Sequence, residues 1–507
     1  MACTIAIDAG TTGVRALAVD QSGRVVDVSY REITQYFPRP GWVEHDAEEI
    51  WTKVAATVDE VAGRQRDGGQ AVAAVGITNQ RETVVAWDRS TGRVLHRAIV
   101  WQDRRTAPRC DELRAAGHLP LVRDRTGLVL DPYFSATKMA WLLTDGGVPD
   151  SPDLVLATVD SWLIWNLTGG TNGGVLATDA TNASRTLLFD IRARSWSDEL
   201  AAVFGVPLRA LPAVRPSCGR FGLVAGALGG ADSALAGVPV SGAAGDQQAA
   251  LFGQACVTPG MAKVTYGTGS FVLANAGALC PEPSEGLLTT VAWDLGDHGG
   301  PSPVAYALEG AVFVTGAAIQ WLRDGLGLIA EARDIGPLAA SVRSSEGVYV
   351  VPAFTGLGSP WWDPYARGTI TGLTRGSGAA HIARAVVEAM AFQVRDVLDA
   401  MAATGTRVSD LRVDGGAAVM DLLLQTQADQ IGLPVQRPAT TETTALGAAW
   451  LAGLAEGMWG SIDDLGATWT LERSFAPAAS TVAADTAHAG WRRAVERSLA
   501  WSSSATD

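Results

Sequence analysis

Two short glycine–threonine stretches, DAGTTG at 8–13 and YGTGS at 266–270, constrain this chain more than any other feature. Each stands between apolar, β-branched runs: TIAI and VRALAV flank the first, MAKVT and FVLAN the second. Runs of that kind broken by Gly and Asp predict strand–turn–strand units. After the turn QSGR a third strand is expected over 25–30. The two turns lie about 257 residues apart, half of the 507-residue chain, and the segments between them carry strand and helix signals of their own. That spacing predicts two related halves, each opened by the same device, and not a short-period repeat. A chain this long also exceeds what a single core organises.

Such turns have a chemistry. Small residues let backbone amides approach phosphate oxygens, and threonine hydroxyls add donors. Asp8, at the end of the strand before Gly10, Thr11, Thr12 and Gly13, is placed to hold Mg²⁺ through water. DGGAA at 414–418, opening a helix, is a third such turn. Neither GxxxxGK[ST] nor GxGxxG occurs. Each turn alone is equally an ordinary hairpin.

Four further stretches raise chemical questions. NQRET (79–83) follows the apolar AVAAVGIT and precedes VVAW, so a buried-looking strand ends in two opposite charges, Arg81 and Glu82. They form either a strand-end ion pair or a polar site. In GDQQAALFGQ (245–254), Asp246 precedes an apolar helix. Composition favours Asp246 as the helix N-cap; the alternative is a general base, with the Gln247 amide beside it as donor and acceptor. AIVWQDRRT (98–106) places Trp101 at a strand end. LDPYFSATKMAWLL contains Tyr133 and a formal Ser-x-x-Lys, Ser135 to Lys138; it has no SDN or KTG partner and continues as an apolar helix, so it is not read as a nucleophile motif.

Elsewhere Ile382, Val386, Ala389, Phe392, Val397 and Met401 recur at helical spacing. LRVDGGAAVMDLLLQTQADQ reads strand, turn, helix, and HAGWRRAVERSLAW is an amphipathic closing helix. The Gly- and Ala-rich segment 215–243 is expected to be loops and hairpins.

The net charge of −14 and a pI near 5.0 argue against nucleic acid or an anionic membrane surface as partner. An anionic ligand must be held locally. Cys3, Cys110, Cys218, Cys256 and Cys280 are odd in number and form no CxxC, which predicts reduced thiols in a cytoplasmic protein and no zinc site. MACTIAIDAG has no basic leader region, and no apolar run reaches the roughly 18 residues of a spanning helix. The six histidines form no HExxH.

DAGTTGVRA, NQRET, AIVWQDRRT, LDPYFSATK, SGAAGDQQAALFGQ, YGTGSF, YALEGAVFVTGAAIQWLRD, VYVVPAFTGLGSPWWDPYARGTITGLTRG, LRVDGGA and TALGAAWLAGLAEG together span nearly the whole chain. With them the chain resembles the FGGY family of carbohydrate kinases, in the branch that phosphorylates glycerol. The resemblance implies an α/β fold of two ribonuclease-H-like domains of the actin/hexokinase ATPase type with a central cleft. Residues 1–250 would carry the polyol site and the first phosphate turn, and 251–507 the second turn and the adenosine site.

It also implies roles. Arg81 and Glu82 would hold polyol hydroxyls, which donate and accept at once, by charge-assisted bonds worth roughly 1.5–3 kcal/mol each. Trp101 and Phe271 would cover the carbon backbone, and Tyr133 and Gln247 would add polar contacts. Asp246 would accept the proton of the attacking hydroxyl, with Mg²⁺ near Asp8 and Asp246. Thr11, Thr12, Gly13, Arg15 and Thr268 would position the phosphates of ATP, and Gly316, Gln320, Gly416 and Met420 would meet the nucleotide. Met420 stands where the family usually has an Asn facing adenine. The loop GALGGADSALAG lacks the basic residues and the histidine through which some relatives are regulated. A cytoplasmic homodimer or homotetramer without membrane insertion is the implied form. The competing readings are a sister kinase for another polyol or sugar, and a non-catalytic nucleotide-binding module of the same fold.

Overall fold

The computed structural model describes residues 2–228, 231–300 and 303–502. Its two large sheets repeat one plan. In the first, Ala2–Ala9 (β1), Gly13–Asp20 (β2) and Val25–Glu32 (β3) form an antiparallel meander. Ala71–Asn79 (β4), Cys218–Leu223 (β5) and Pro239–Gly245 (β6) extend the sheet beyond β1, in the order β5-β6-β4-β1-β2-β3. β4 runs parallel to β1, and β6 parallel to β4.

The second sheet is built from Met261–Tyr266 (β7), Ser270–Gly277 (β8), Leu288–Asp294 (β9), Val304–Val312 (β10), Asp410–Asp414 (β11), Val435–Pro438 (β12) and Leu471–Phe475 (β13). Their order is β9-β10-β8-β7-β11-β12-β13. β7, β8 and β10 form the antiparallel meander, and β11 and β12 add in parallel. Thus β3-β2-β1-β4-β6 and β10-β8-β7-β11-β12 are the same five-strand pattern, the ribonuclease-H-like one, occurring twice.

The sequence accounts for the strand positions. Central strands are covered on both faces and read as continuous apolar runs: all nine residues of β10, and the last six of β4, are buried. The outer strand β3 instead alternates. The helix Ala47–Asp67 (α1) is capped by Asp46, whose carboxylate accepts from the amides of Glu48 and Glu49; its stripe Ile50, Val54, Val58 and Val61 enters the first core. The helix Ser135–Thr144 (α2) belongs to a smaller core beside this sheet, and Ala379–Ala403 (α4, after α3 at Asp246–Gly253) packs on the second sheet.

The halves are not separate beads. The helix Thr443–Ala455 (α5) comes from the second half of the chain, yet packs on α3 and on strands β1, β4 and β6 of the first sheet. α3 and α5 cross in backbone contact: a Cβ on Gly447 would lie 1.9 Å from the carbonyl oxygen of Ala249. Segment 215–243 forms the expected loops and antiparallel strand pairs, and β5 and β6 within it are also members of the first sheet, with Gly242 facing α5. In the loop 226–237, Gly229 and Gly230 lie outside the described residues. All five cysteines are unpaired, and among the described residues no helix is long and apolar enough to cross a membrane.

Candidate active site

Strand register brings the scattered motifs to one edge. β1, β4 and β6 end level, with Ala9 and Gly245 both paired to Asn79. The turn after β1, the Gln80-Arg81-Glu82 segment after β4 and Asp246 after β6 therefore emerge side by side, at the carboxyl ends of parallel strands where α/β sheets bind ligands. In the second sheet the turn 267–269 follows β7, and Gly415 and Gly416 follow β11. Both turns are closed by their own backbone: Gly10 N donates to Gly13 O at 3.0 Å, and Gly267 N to Gly269 O at 2.8 Å. The second rests on the helix Gly316–Gln320, where Gly316 and Ala317 donate to the carbonyls of Gly267 and Thr268 at 3.0 Å each. Thr12, Thr268, Gln320 and Gly416 are exposed; Thr11, Arg15, Gly316 and Met420 are half-buried, and Gly13 is buried.

Glu82 explains how a strand can end in two opposite charges. Its φ is 63°, in the left-handed region, so the chain reverses there and sends the two side chains inward along different paths. Arg81 is 2% exposed and Glu82 1%. Arg81 makes a forked pair with Glu309 on β10, at 2.6 and 3.2 Å, and donates to the Tyr133 hydroxyl at 3.1 Å. Its Nε faces Asp246 at 3.3 Å and Glu82 at 3.7 Å. Arg185 closes a ring, donating from Nε to Glu82 at 2.6 Å and from Nη2 to Glu309 at 2.9 Å. Two cations and two anions thus neutralise one another where an unpaired charge would cost several kcal/mol.

The two carboxylates of the ring differ. Burial raises the pKa of both, but Glu309 takes three bonds from two guanidiniums, and Arg185 and Arg81 together hold it down to about 2. Glu82 has one firm guanidinium bond, and burial keeps it above the ordinary range. Among the described residues its Oε2 accepts no hydrogen bond, which leaves one acceptor atom unengaged.

Aromatic rings line the ring's open side. Trp101 meets Tyr133 edge-on at 5.6 Å and Phe271 at 6.4 Å, so the wall has members from both halves. Trp101 Nε1 donates to Thr11 Oγ1 at 2.9 Å, tying the wall to the first turn. Gln247 is buried; Lys263 donates from Nζ to its Oε1, and to Thr265 Oγ1 at 2.8 Å. An ammonium only donates, so the Gln247 carbonyl is committed and its NH₂ is left as a donor. Burial pushes Lys263 down to about 8, against the charges of Asp414 and Asp246.

Asp246 is not the N-cap that composition favours. Gly245 holds that position, and Asp246 is the first residue of α3, its Oδ1 accepting from its neighbour Gln247 N at 2.7 Å. The cap has to be glycine because Arg81 lies across it: a Cβ there would sit 2.7 Å from Arg81 Cδ. The side chain of Asp246 remains 31% exposed.

Asp8 is nearly buried. Burial, with Asp246 and Glu442 nearby, pushes it up to about 6 against the pull of Arg15. Arg15 Nε lies 4.0 Å from Asp8, while its Nη1 is bound to Glu442 at 2.6 Å. The result is uncompensated negative charge beside the first turn, which suits a divalent cation. Among the described residues no group of three or more His, Cys, Asp or Glu could hold one; the carboxylates of Asp8 and Asp246 are of the type that suits a Mg²⁺ keeping most of its water. Met420 packs on the second core at the start of the helix Asp421–Ile431 and presents no polar side-chain atom to a base.

Sequence reasoning passed over Arg185, Glu309, Lys263 and Gln248, which donates to Thr290 and accepts from Arg81 at 3.2 Å. The signal available was a lone charge inside an apolar run, Glu309 in VAYALEGAV and Lys263 in MAKVTY; each demands a buried partner.

Comparison with known proteins agrees with this geometry. Residues 3–253 match the N-terminal domain of the FGGY family of carbohydrate kinases, and 262–456 its C-terminal domain. The chain is 51% identical to a glycerol kinase of Bordetella parapertussis, over 98% of this chain and 97% of that one, and 52% identical to one of Trichlorobacter lovleyi, over 99% of each. It superposes on a crystal structure of Plasmodium falciparum glycerol kinase with ADP at a TM-score of 0.90, with 33% identity and 98% of each chain covered. From strand order to sequence, the chain belongs to the FGGY family of carbohydrate kinases.

Proposed function

We infer that this chain transfers the γ-phosphoryl group of ATP to a terminal hydroxyl of glycerol, giving sn-glycerol 3-phosphate. The observation that carries the reading is the buried Arg81–Glu82 pair beside Asp246, under a wall of Trp101, Tyr133 and Phe271. Glycerol offers only three hydroxyls on a short carbon chain. A charged donor and a charged acceptor fix such hydroxyls, and the rings cover the carbons. Among the described residues Glu82 Oε2 accepts no bond and the Gln247 NH₂ donates none, which leaves an acceptor and a donor for hydroxyls. Full-length similarity to glycerol kinases at about half identity agrees.

Asp246 accepts the proton of the attacking hydroxyl, from a position where the Arg81 guanidinium 3.3 Å away orients its carboxylate. The amides and hydroxyls of Thr11, Thr12 and Thr268 align the phosphates for in-line attack, from one turn in each half. Arg15, poised between Asp8 and Glu442, faces the same region. Gly316, Gln320, Gly416 and Met420 line the nucleoside end. Asp8 and Asp246 would hold a Mg²⁺, which would neutralise charge on the phosphate oxygens. Closure of the two halves excludes water, which a base able to activate a hydroxyl would otherwise activate too. The division of labour falls near residue 250. The five free thiols suit the cytoplasm. Assembly as a dimer or tetramer follows from the family resemblance and is read by light scattering.

The test is a coupled assay of ADP release with Mg·ATP across glycerol, dihydroxyacetone, erythritol and xylulose, with Asp246→Asn alongside. The expected result is turnover dominated by glycerol and lowered about 10²–10⁴-fold in the variant. Turnover only on a longer polyol or sugar overturns the substrate assignment.

A further inference from the structure

The Ser-x-x-Lys of α2 is the one motif that no step above uses. Ser135 and Lys138 are both 0% exposed, and Lys138 is an ammonium whose hydrogen-bond partners include no carboxylate. Its Nζ donates to three successive carbonyls, those of Pro132 at 2.8 Å, Tyr133 at 2.6 Å and Phe134 at 2.8 Å. That uses all three donors a lysine has. Burying the charge is costly, and a neutral residue of the same shape would fill the space. What the ammonium uniquely does is gather one loop, the one on which Tyr133 stands. The other side of that loop is tied by Tyr133 N donating to Asp131 at 2.8 Å.

Three residues earlier on the same helix, Ser135 Oγ donates to the backbone oxygen of Glu82 at 3.0 Å. Glu82 is held at a positive φ, which a non-glycine residue keeps only where its surroundings enforce it. Between the two, Ala136 N donates to the carbonyl of Thr186 at 2.8 Å, next to Arg185. One turn of α2 therefore grips the backbone at Tyr133, at Glu82 and beside Arg185. A nucleophilic role is ruled out by the same bonds, since the Ser135 hydroxyl donates to a carbonyl and Lys138 has no free donor or lone pair.

We propose that Ser135 and Lys138 are positioning residues of the polyol site, setting Glu82 and Tyr133 from behind without touching substrate. This rests on the phosphorylation reading above. The wild-type chain is therefore assayed first across acceptors, so that failure with glycerol refutes that reading separately, and the variants are compared on whichever acceptor the wild type uses. Lys138→Met keeps the stem and removes the charge. It is expected to raise the acceptor KM about tenfold or more, while the ATP KM stays within about twofold. Ser135→Ala, which deletes one oxygen, is expected to raise the acceptor KM about threefold. In a Tyr133→Phe background the effect of Lys138→Met should shrink to less than about threefold, because lysine acts through the tyrosine loop. Equal rises in both KM values, or full additivity with Tyr133→Phe, overturn the proposal. If Lys138→Met does not fold, Ser135→Ala against Glu82→Gln makes the same additivity test.

Discussion

The two ends of the site, the one proposed for the polyol and the one proposed for the nucleotide, are built on opposite principles. In the ring around Arg81 the four charges are buried and answer one another before any ligand arrives, and the ring takes Arg81, Glu82 and Arg185 from one half and Glu309 from the other. At the phosphate turns the side chains of Thr12 and Thr268 are exposed, the glycines are closed by their own backbone bonds, and Asp8 carries unanswered negative charge. The difference follows from the ligands. A small neutral triol brings little binding energy, so its site has to be pre-organised. A metal-bound triphosphate brings charge enough to organise turns around itself.

The sharpest way to break this contrast is at the residue between the two ends. Asp246→Asn keeps the shape and the Arg81 contact but removes the proposed base. A fall of about 10²–10⁴ in kcat with a glycerol KM changed only a few-fold is expected from steady-state kinetics. A matching rise in KM would make Asp246 a binding residue of the polyol end instead.

Next comes the ring itself. Glu309→Gln leaves Arg81 and Arg185 facing each other with half their counter-charge, and removing one partner of a buried ion network costs about 3–5 kcal/mol. Denaturant unfolding should register that loss, and kcat/KM for glycerol should fall further than kcat/KM for ATP. Equal losses on both substrates would show that the ring serves the fold and not the polyol end.

Asp8 sharpens the other side. Its folded-state value of about 6 lies above the ordinary 3.8, so the folded chain takes up this proton before the unfolded one does. The metal-free protein should therefore lose stability as pH rises from about 4 through about 6, by at most about 3 kcal/mol. Mg²⁺ should recover part of it above that window, and turnover at limiting Mg²⁺ should drop below pH about 6 as the carboxylate protonates. Asp8→Asn is expected to melt higher than wild type without metal at pH 7.5 while losing activity. A variant that melts lower would mean that Arg15 already answers the charge.

The same contrast decides what could be read from sequence. The phosphate turns were legible because glycine, threonine and aspartate at a strand end are a local pattern, and β1, β2, β7 and β8 flank them where the apolar runs predict. Arg81, Glu82 and Asp246 stood out by their local pattern, and the resemblance supplied the roles expected of them. The ring was not legible, because its bonds join residues 103 to 228 positions apart and each partner sits in a run whose pattern says only that it is buried. The N-cap expectation for Asp246 failed for a tertiary reason: Arg81 lies over Gly245, and no side chain fits there. The placement of α5 on the first sheet was hidden too, since its uniformly apolar sequence says that it is covered on all sides but not by what.

Met420 is where the smallest effect is expected, and it tests whether the two ends are separable. Its thioether packs on the second core and offers adenine contact without direction. Met420→Asn would place there the amide that the family resemblance leads one to expect. One added hydrogen bond is worth about 1 kcal/mol, so the KM for ATP should fall about fivefold, with discrimination against GTP improved by a similar factor. The glycerol KM should not move, because nothing in the ring of Arg81, Glu82, Arg185 and Glu309 touches that helix start. If it does move, the nucleotide and polyol ends are coupled through the second sheet, whose β10 carries Glu309 and whose β7 carries Lys263 into the cleft. In that case the polyol end is not complete before ATP binds, and the contrast between the two ends holds only for the closed cleft.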